Sequence, residues 1–285
     1  MRITFLGTGA GEGIPAFLCN CPICREAVKR RGKYIRQNSA AFIESGSGQA
    51  VLLDMPPQIK MAIDQYRIDY NRLLAVLITH YHNDHTLGLK YLLEAKTDNG
   101  YQAANTVSLF LPRDVLDRLA TRLFIDPPDL RGHPPECAFS LHPLAAYEEI
   151  TVGPFAVLPL ETNHLGNNPG PGRIEGATLG YLIRDGDRKK IAYLLDAPAE
   201  LTERTYARLE EERIDCLVFD CTFEKTLPSG GHADLAGIRR VKERLKPLQA
   251  FASHISHRNL GHGELTGRLE RWGIQVAYDG LSVTI

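Results

Sequence analysis

The chain has 285 residues, of which 44% are hydrophobic and 24% charged, enough for one large domain or two small ones. The formal net charge of −1 supplies no overall basic field that would recruit nucleic acid. No apolar run reaches the roughly 18 residues of a membrane span, and the apolar start at residues 3–6 is too short for a signal peptide. A cytoplasmic globular protein is therefore the default expectation.

The first predicted elements are strands, glycine turns and one helix. A strand at residues 3–6 leads into a glycine turn, and two further strands, at 39–45 and 49–55, flank a Ser-Gly-Ser-Gly stretch typical of a hairpin. A proline pair then opens a helix over 56–66, where apolar residues recur at helical spacing.

Three cysteines lie close together before that hairpin, in the stretch LCNCPIC, at Cys19, Cys21 and Cys24. In a cytoplasmic chain, such tight spacing favours a metal site over a disulfide framework. A tetrahedral zinc ion needs a fourth ligand, which this stretch does not contain. Three free thiols are the alternative interpretation.

The densest polar cluster is THYHNDH, residues 79–85, directly after the apolar strand predicted at 73–78. Its potential metal ligands are His80, His82, Asp84 and His85. An extended backbone points His80 and His82 to the same side, whereas the next two ligands turn towards a second point, roughly 3.5–4 Å further on in two-metal sites. The cluster predicts a strand-to-helix turn at the carboxyl end of a strand, where α/β proteins commonly bind ligands.

The second half of the chain alternates strands and helices. Strands are predicted at 155–161, 178–184, 189–196, 216–221 and 248–253, and helices at 201–212 and 233–245. Turn-forming residues dominate parts of 97–137 and all of 163–177, which favours loops there. We predict a single domain, 1–285, that carries an insertion at about 97–150.

Three of the later strands end at a residue that could bind metal: His164, Asp196 and His254. Taken singly, each histidine is as consistent with a hydrogen-bonded surface residue, and the aspartate with a helix cap. Because all three follow apolar strands, they are expected to converge with the THYHNDH cluster on one edge of the sheets.

In this order along the chain, the residues resemble the metallo-β-lactamase superfamily, whose pattern is an HxHxDH turn followed by a His, an Asp and a final His. The resemblance spans nearly the whole chain and implies an α/β fold, the four-layer αββα sandwich. Within the superfamily, the chain is similar to the PhnP-like cyclic phosphodiesterases of the carbon–phosphorus lyase pathway. The stretches that carry this similarity are GTGAGEGIPAFLCNCPIC, LITHYHNDHTLGL, GHADL and SHISH. By the same resemblance, His257 is the fourth ligand of a structural zinc, and Asp54 supports the active-site ligands without binding metal.

The resemblance also implies a pair of divalent ions, Zn²⁺ or Mn²⁺, in the active site. His80, His82 and His164 would hold one ion and Asp84, His85 and His254 the other, with Asp196 bridging the two. Such a pair lowers the pKa of a bridging water, so that a metal-bridging hydroxide attacks phosphorus, and it clamps the leaving oxygen. The family's proposed general acid matches His232, which we count with Asp84 as catalytic; capping the following helix is the alternative role of His232.

The implied function is hydrolysis of a small, cyclic phosphodiester, such as 5-phosphoribosyl 1,2-cyclic phosphate. A thioesterase would use the same ligands, but the cysteine-rich start and the His232 segment do not resemble that branch. A tRNA-processing nuclease would need a basic arm, and 97–150 is not markedly basic. A third alternative is a non-catalytic or carrier protein like PqqB, in whose branch the HxHxDH turn is degraded.

Two cations in or near predicted loops, Arg173 and Lys225, could meet a phosphate, although solvation is the default for such residues. The loop at 163–177 is longer than the one associated with PhnP-like proteins, which leaves the ribosyl substrate open. The expected partner is a small-molecule phosphodiester rather than nucleic acid or membrane, and a homodimer is left open.

Overall fold

Two β-sheets pack face to face in the computed structural model, which describes residues 1–95, 100, 102, 106–112, 115, 139–164, 178–186, 189–225 and 231–285. In the first sheet, the strands are β1 (Arg2–Gly7), β2 (Ala40–Glu44), β3 (Ala50–Leu53), β4 (Leu73–Leu77), β5 (Val107–Pro112), β6 (Phe139–Leu144) and β14 (Ser282–Thr284). Their spatial order is β14-β1-β2-β3-β4-β5-β6. The predicted hairpin is confirmed, because β2 and β3 pair antiparallel, whereas β3 to β6 run parallel.

The second sheet mirrors this mixed arrangement. Its strands are β7 (Ile150–Val152), β8 (Phe155–Glu161), β9 (Leu179–Asp185), β10 (Lys190–Leu194), β11 (Cys216–Asp220), β12 (Gln249–Ser253) and β13 (Gln275–Val276). Their spatial order is β13-β12-β11-β10-β9-β8-β7. Strands β10 to β13 are parallel, so their carboxyl ends meet at one edge of the sheet.

Helices cover the outer faces of both sheets. Those described are α1 (Pro22–Arg30), α2 (Ile59–Gln65), α3 (Asn83–Thr86), α4 (Leu89–Leu93), α5 (Glu203–Glu210), α6 (Leu235–Leu245) and α7 (His262–Glu270), with short 3-10 turns at Gly32–Tyr34 and Tyr70–Arg72. Asp234 caps the amino-terminus of helix α6: its side chain accepts a hydrogen bond from the Gly237 amide at 2.7 Å, a cap that contributes about 1 kcal/mol. Within the described ranges, no helix is long and apolar enough to cross a membrane.

The apolar core has three layers, one between the sheets and one under each set of helices. Between the sheets, Phe5 and Phe251 are buried with their ring centroids 5.7 Å apart. On the outer face of the second sheet, the apolar residues of α6 and α7 pack on β10 and β11, and α2 and α4 cover the first sheet likewise. Four layers in the order αββα result, which confirms the predicted fold class.

The range of about 97–150, predicted as an insertion, contains strands of both sheets. β5 and β6 extend the first sheet beyond β4, and β7 pairs with β8 at the edge of the second. The described part of this range therefore belongs to the sandwich, and much of the remainder lies outside the described residues. The division of the chain into a single domain stays a prediction.

Candidate metal centre

All seven predicted active-site ligands lie at one edge of the sandwich, just beyond the carboxyl ends of four strands. His80, His82, Asp84 and His85 follow β4 of the first sheet, and His164, Asp196 and His254 follow β8, β10 and β12 of the second. The predicted strand-to-helix turn is confirmed, because β4 ends at Leu77 and α3 begins at Asn83. The Met55 amide donates to the His85 carbonyl oxygen at 2.8 Å, which ties this turn to the loop after β3.

One oxygen of the Asp196 carboxylate faces three histidines. Asp196 Oδ1 lies 3.7 Å from His80 Nε2 and 3.9 Å from His164 Nε2. His82 joins them through Nδ1 rather than Nε2, and this atom lies 2.7 Å from His80 Nε2. The ligand atoms of these four residues all lie within 4.8 Å of one another, close enough to bind one metal ion.

The second oxygen of Asp196 faces the remaining ligands. Asp196 Oδ2 lies 3.1 Å from His85 Nε2 and 3.4 Å from His254 Nε2. Asp84 Oδ2 approaches the same two nitrogens, at 3.2 Å and 3.8 Å respectively. Asp196 thus presents one oxygen to each group of ligands, an arrangement that fits the bridging role expected from the sequence.

Several of these atoms are buried polar groups without a hydrogen-bond partner among the described residues. They are His85 Nε2, His164 Nε2, Asp196 Oδ2 and His254 Nε2. An unsatisfied buried polar atom costs about 1–3 kcal/mol, and four that converge on one small volume are what a cation would satisfy. Imidazole and carboxylate donors suit Zn²⁺ or Mn²⁺, so the residues present fit a divalent ion pair.

The ring nitrogens that His80 and His85 turn away from this space are each held by a neighbour. His85 Nδ1 donates to Asp54 Oδ2 at 2.8 Å, and His80 Nδ1 lies 3.0 Å from Thr79 Oγ1. Asp54 is itself buried and accepts hydrogen bonds from the Thr79 amide and hydroxyl at 2.8 Å and 3.0 Å. Such partners fix the ring orientation and the tautomer of a ligating histidine. Asp54 therefore supports the ligands, as the resemblance implied.

An aspartate that the sequence analysis did not single out organises the other side of the centre. Asp220 is completely buried at the end of β11, and its Oδ2 accepts a hydrogen bond from His232 Nδ1 at 2.8 Å. Its Oδ1 lies 2.8 Å from Thr222 Oγ1, which in turn lies 2.9 Å from His254 Nδ1. The signal that could have found it is the one that found Asp196, an acid at the end of an apolar strand.

The electrostatics of the cluster keep its carboxylates ionised. Burial alone would raise the pKa of Asp196, but the charges of His254, His85 and His80 hold it well below its usual range. Burial would lower the pKa of His254, yet Asp196, Asp84 and Asp220 raise it to about 9. These histidine protons would leave when a metal ion binds, since a histidine ligates as the neutral imidazole.

Three residues of the centre adopt left-handed backbone conformations. The φ angles are +63° at Asp54, +48° at Asp196 and +57° at His254. This region is sparsely populated by residues other than glycine and costs about 1 kcal/mol or more for each residue. In all three, a strand has just ended, and the bend turns the side chain across the sheet edge into the cluster.

The cysteine-rich loop forms a second cluster with His257. Its Nδ1 lies 3.2 Å from Cys19 Sγ and 3.7 Å from the sulfurs of both Cys21 and Cys24. Burial raises the pKa of Cys21, but hydrogen bonds from the Cys24 amide and from His257 outweigh it and lower the value to about 6. Four ligand atoms within 4.8 Å of one another fit a closed tetrahedral zinc site.

A cavity of about 360 Å³ opens onto the active-site ligands. Asp84, Asp196 and His254 line its base, and His232 lies on its wall with its ring centroid 5.0 Å from that of His254. Of the two cations considered as possible phosphate contacts, Lys225 is exposed and does not line this cavity, in keeping with the solvated alternative, and Arg173 lies outside the described residues.

Fold and site define a class. A family model described as "Beta-lactamase superfamily domain" matches residues 51–255, and the chain therefore belongs to the metallo-β-lactamase superfamily, as the sequence analysis predicted.

The chain is similar along its whole length to two kinds of protein within that class. Coenzyme PQQ synthesis protein B of Rhodopseudomonas palustris is 25% identical over 313 residues, which cover 100% of each chain. The crystal structure of a new diphosphatase from the PhnP family shares the fold with a TM-score of 0.78 at 23% identity, covering 100% of this chain and 97% of that one. Zinc-bound PqqB from Methylobacterium extorquens gives a TM-score of 0.80 at 22% identity, with full coverage of both chains.

Proposed function

We propose that this protein is a phosphodiesterase that uses two divalent metal ions. The observation that carries the proposal is the position of Asp196, whose two carboxylate oxygens face two separate groups of ligands. When bound there, a pair of divalent ions supplies an activated water and neutralises charge at phosphorus. Thr79 would orient the imidazole of His80 for one ion, and Asp54 the imidazole of His85 for the other.

The hydrogen bond between His232 and Asp220 supports hydrolysis rather than simple binding. Burial would lower the pKa of His232, but the hydrogen-bonded Asp220 carboxylate raises it above the usual value. Nδ1 of His232 is engaged with Asp220 at 2.8 Å, which leaves Nε2 to hold the second proton. His232 would give that proton to the departing alkoxide, the contribution of a general acid.

The proposed substrate is a small phosphodiester, with a cyclic ester such as 5-phosphoribosyl 1,2-cyclic phosphate as the first to test. A cavity of about 360 Å³ lies at the small end of the range for ligand pockets, about 300–1,000 Å³. The net charge of −1 argues against a nucleic-acid substrate. A cytoplasmic location belongs to the same proposal.

A carrier or non-catalytic role like that of PqqB is the second candidate. Its support is the full-length similarity of 25% to Coenzyme PQQ synthesis protein B of Rhodopseudomonas palustris. Against it stand the intact HxHxDH turn at His80–His85 and the Asp220–His232 pair, which binding alone does not require.

Turnover separates the two candidates. Protein loaded with Mn²⁺ or Zn²⁺ is assayed against cyclic phosphodiesters, linear phosphodiesters and a thioester, with chelator-treated protein as the control. We expect phosphodiester hydrolysis that metal removal abolishes and metal return restores. Protein that retains both ions and turns over none of the phosphodiesters would contradict the proposal and favour the second candidate.

A further inference from the structure

An arginine lies on the wall of the active-site cavity and has no acidic partner in the part of the chain that the structure describes. Arg258, four residues beyond the ligand His254, lines the cavity and is exposed. Among the described residues, none presents a carboxylate within ion-pair distance of its guanidinium group. Arg268, by contrast, lies on helix α7 and pairs with Glu264 at 3.0 Å. The charge of Arg258 is therefore available to a ligand in the cavity.

One aromatic ring connects Arg258 with the proposed proton donor. The guanidinium carbon of Arg258 lies 5.4 Å from the centroid of the Phe223 ring, within the range of a cation–π contact. The His232 ring meets Phe223 edge-on, with the centroids 6.0 Å apart. The backbone amide of Arg258 also donates to Ser256 Oγ at 3.1 Å, which fixes where the side chain departs.

Glu12, an acid that also lines this cavity, is engaged by other residues. Glu12 accepts a hydrogen bond from Ser256 Oγ, and its Oε1 lies 3.6 Å from His257 Nε2, so its charge is directed towards the cysteine cluster. The cavity wall thus carries a positive group close to His232 and a negative group beside His257.

We propose that Arg258 determines specificity by binding an anionic group carried by the leaving alcohol of the substrate. The inference rests on the proposed function, in which His232 protonates the leaving oxygen. Phe223 contacts both His232 and Arg258, so Arg258 lies on the side of the cavity where the leaving group would be. A guanidinium group binds carboxylate or phosphate through two parallel hydrogen bonds. The substrate class is therefore phosphodiesters whose leaving alcohol bears a second negative charge, a carboxylate or a phosphate.

A matched pair of chromogenic esters tests this. Methyl 4-nitrophenyl phosphate releases an uncharged ring, and methyl 3-carboxy-4-nitrophenyl phosphate releases the same ring bearing a carboxylate. Metal-loaded wild type, Arg258→Ala and Arg258→Lys are compared on both, with Arg271→Ala as the control because Arg271 is an exposed arginine outside the cavity. The ratio of variant to wild type on each ester cancels the difference in intrinsic reactivity.

For Arg258→Ala we expect kcat/KM on the carboxylated ester to fall roughly 10–100-fold, mainly through KM, while the uncharged ester is hydrolysed nearly as before. Arg258→Lys should recover part of the loss, since it keeps the charge but not the two-pronged hydrogen bonding. Arg271→Ala should match wild type on both esters.

Two results would overturn the inference in different ways. If wild type hydrolyses both esters and Arg258→Ala loses equally on both, or on neither, Arg258 does not recognise the leaving group and the phosphodiesterase proposal stands. If metal-loaded wild type hydrolyses neither these esters nor the cyclic phosphodiesters, the proposed function fails and this inference fails with it.

Discussion

Asp220 Oδ2 lies 2.8 Å from His232 Nδ1, so a fully buried carboxylate holds the cavity-lining histidine that we propose as the general acid. Through Thr222, the same carboxylate also reaches Nδ1 of the ligand His254. Asp220 thereby connects the proposed general acid with the metal centre.

We predict that Asp220→Asn lowers the rate on phosphodiesters with poor leaving groups by about 10–100-fold, the scale for residues that orient a metal-site histidine. His232→Ala should lose roughly 10²–10⁴-fold on the same substrates. Both variants should lose much less on a nitrophenyl ester, because its leaving group needs no proton. Steady-state rates on one alkyl and one nitrophenyl ester provide the measurement.

Asp215→Asn is the matched control for Asp220→Asn, because Asp215 lies at the opposite end of β11 and bonds the Lys190 amide at 3.0 Å. It should leave the leaving-group dependence unchanged. Equal losses on alkyl and nitrophenyl esters for Asp220→Asn would mean that this residue supports the metal ions rather than the acid.

A second prediction concerns the proposed bridge. Asp196→Ala should abolish hydrolysis and reduce the active-site metal content, because Asp196 is the one side chain shared by both ligand groups. Circular dichroism should still report a folded protein. Asp64→Ala, at an exposed position on α2, is the control and should keep full metal content. Wild-type turnover in Asp196→Ala would remove the two-metal mechanism.

The third prediction separates the cysteine cluster from the active site. Cys21→Ser should lose one zinc ion per chain, keep the two active-site ions, and lower both the melting temperature and the activity. Partial recovery of activity at low temperature is expected, because four protein ligands leave this zinc no open position for chemistry. Elemental analysis and thermal melting provide the readouts.

Cys216→Ser is the matched control, since Cys216 is buried in β11 away from either cluster. It should lower stability and keep all three ions. Rapid thiol labelling of Cys19, Cys21 and Cys24 in the native protein, with zinc content unchanged in Cys21→Ser, would instead identify them as free thiols.

A fourth prediction concerns the pH dependence of stability. Burial raises the pKa of Asp279 from 3.8 to about 6, although hydrogen bonds from Thr8 and the Gln37 amide partly oppose the shift. The folded state therefore binds this proton more tightly than the unfolded state. The resulting stabilisation is fully present below pH 3.8 and is lost as the pH rises through about 6.

Asparagine at position 279 cannot ionise. The unfolding free energy of Asp279→Asn minus that of wild type should therefore increase by roughly 2–3 kcal/mol between pH 4 and pH 7. Urea unfolding of both proteins at matched pH values provides the measurement. Any fixed cost of losing a hydrogen bond cancels in this comparison. A difference between variant and wild type that stays constant across the range would show that folding does not raise the pKa of Asp279.

The parts of the site that follow from strand patterns were predictable from the sequence. An apolar run that stops at His80, Asp196 or His254 predicts a polar residue at the end of a buried strand. Parallel strands place such ends at the same edge of a sheet. These three residues could be matched to a known ligand pattern because the match depends on the order of the ligands along the chain, whatever the lengths of the segments between the strands.

Other features depend on contacts that a linear sequence does not encode. Asp220 resembles any strand-end acid until β11 is placed beside β12, and Arg258 resembles a solvated loop cation until Phe223 lies beneath it. The strands within 97–150 were missed for a related reason. β7 is short, and β5 and β6 pair with each other across a long segment rather than through a recognisable turn.

Each proposed ion takes ligands from both sheets, because His164 and His254 come from the second sheet and the THYHNDH residues from the first. The ions would then crosslink the two sheets at one edge of the sandwich, and the free energy of metal binding would add to the free energy of folding. A cell short of metal would hold molecules that are not only idle but also quicker to open at this rim and to be degraded. The abundance of the protein, and not its activity alone, would follow the supply of metal.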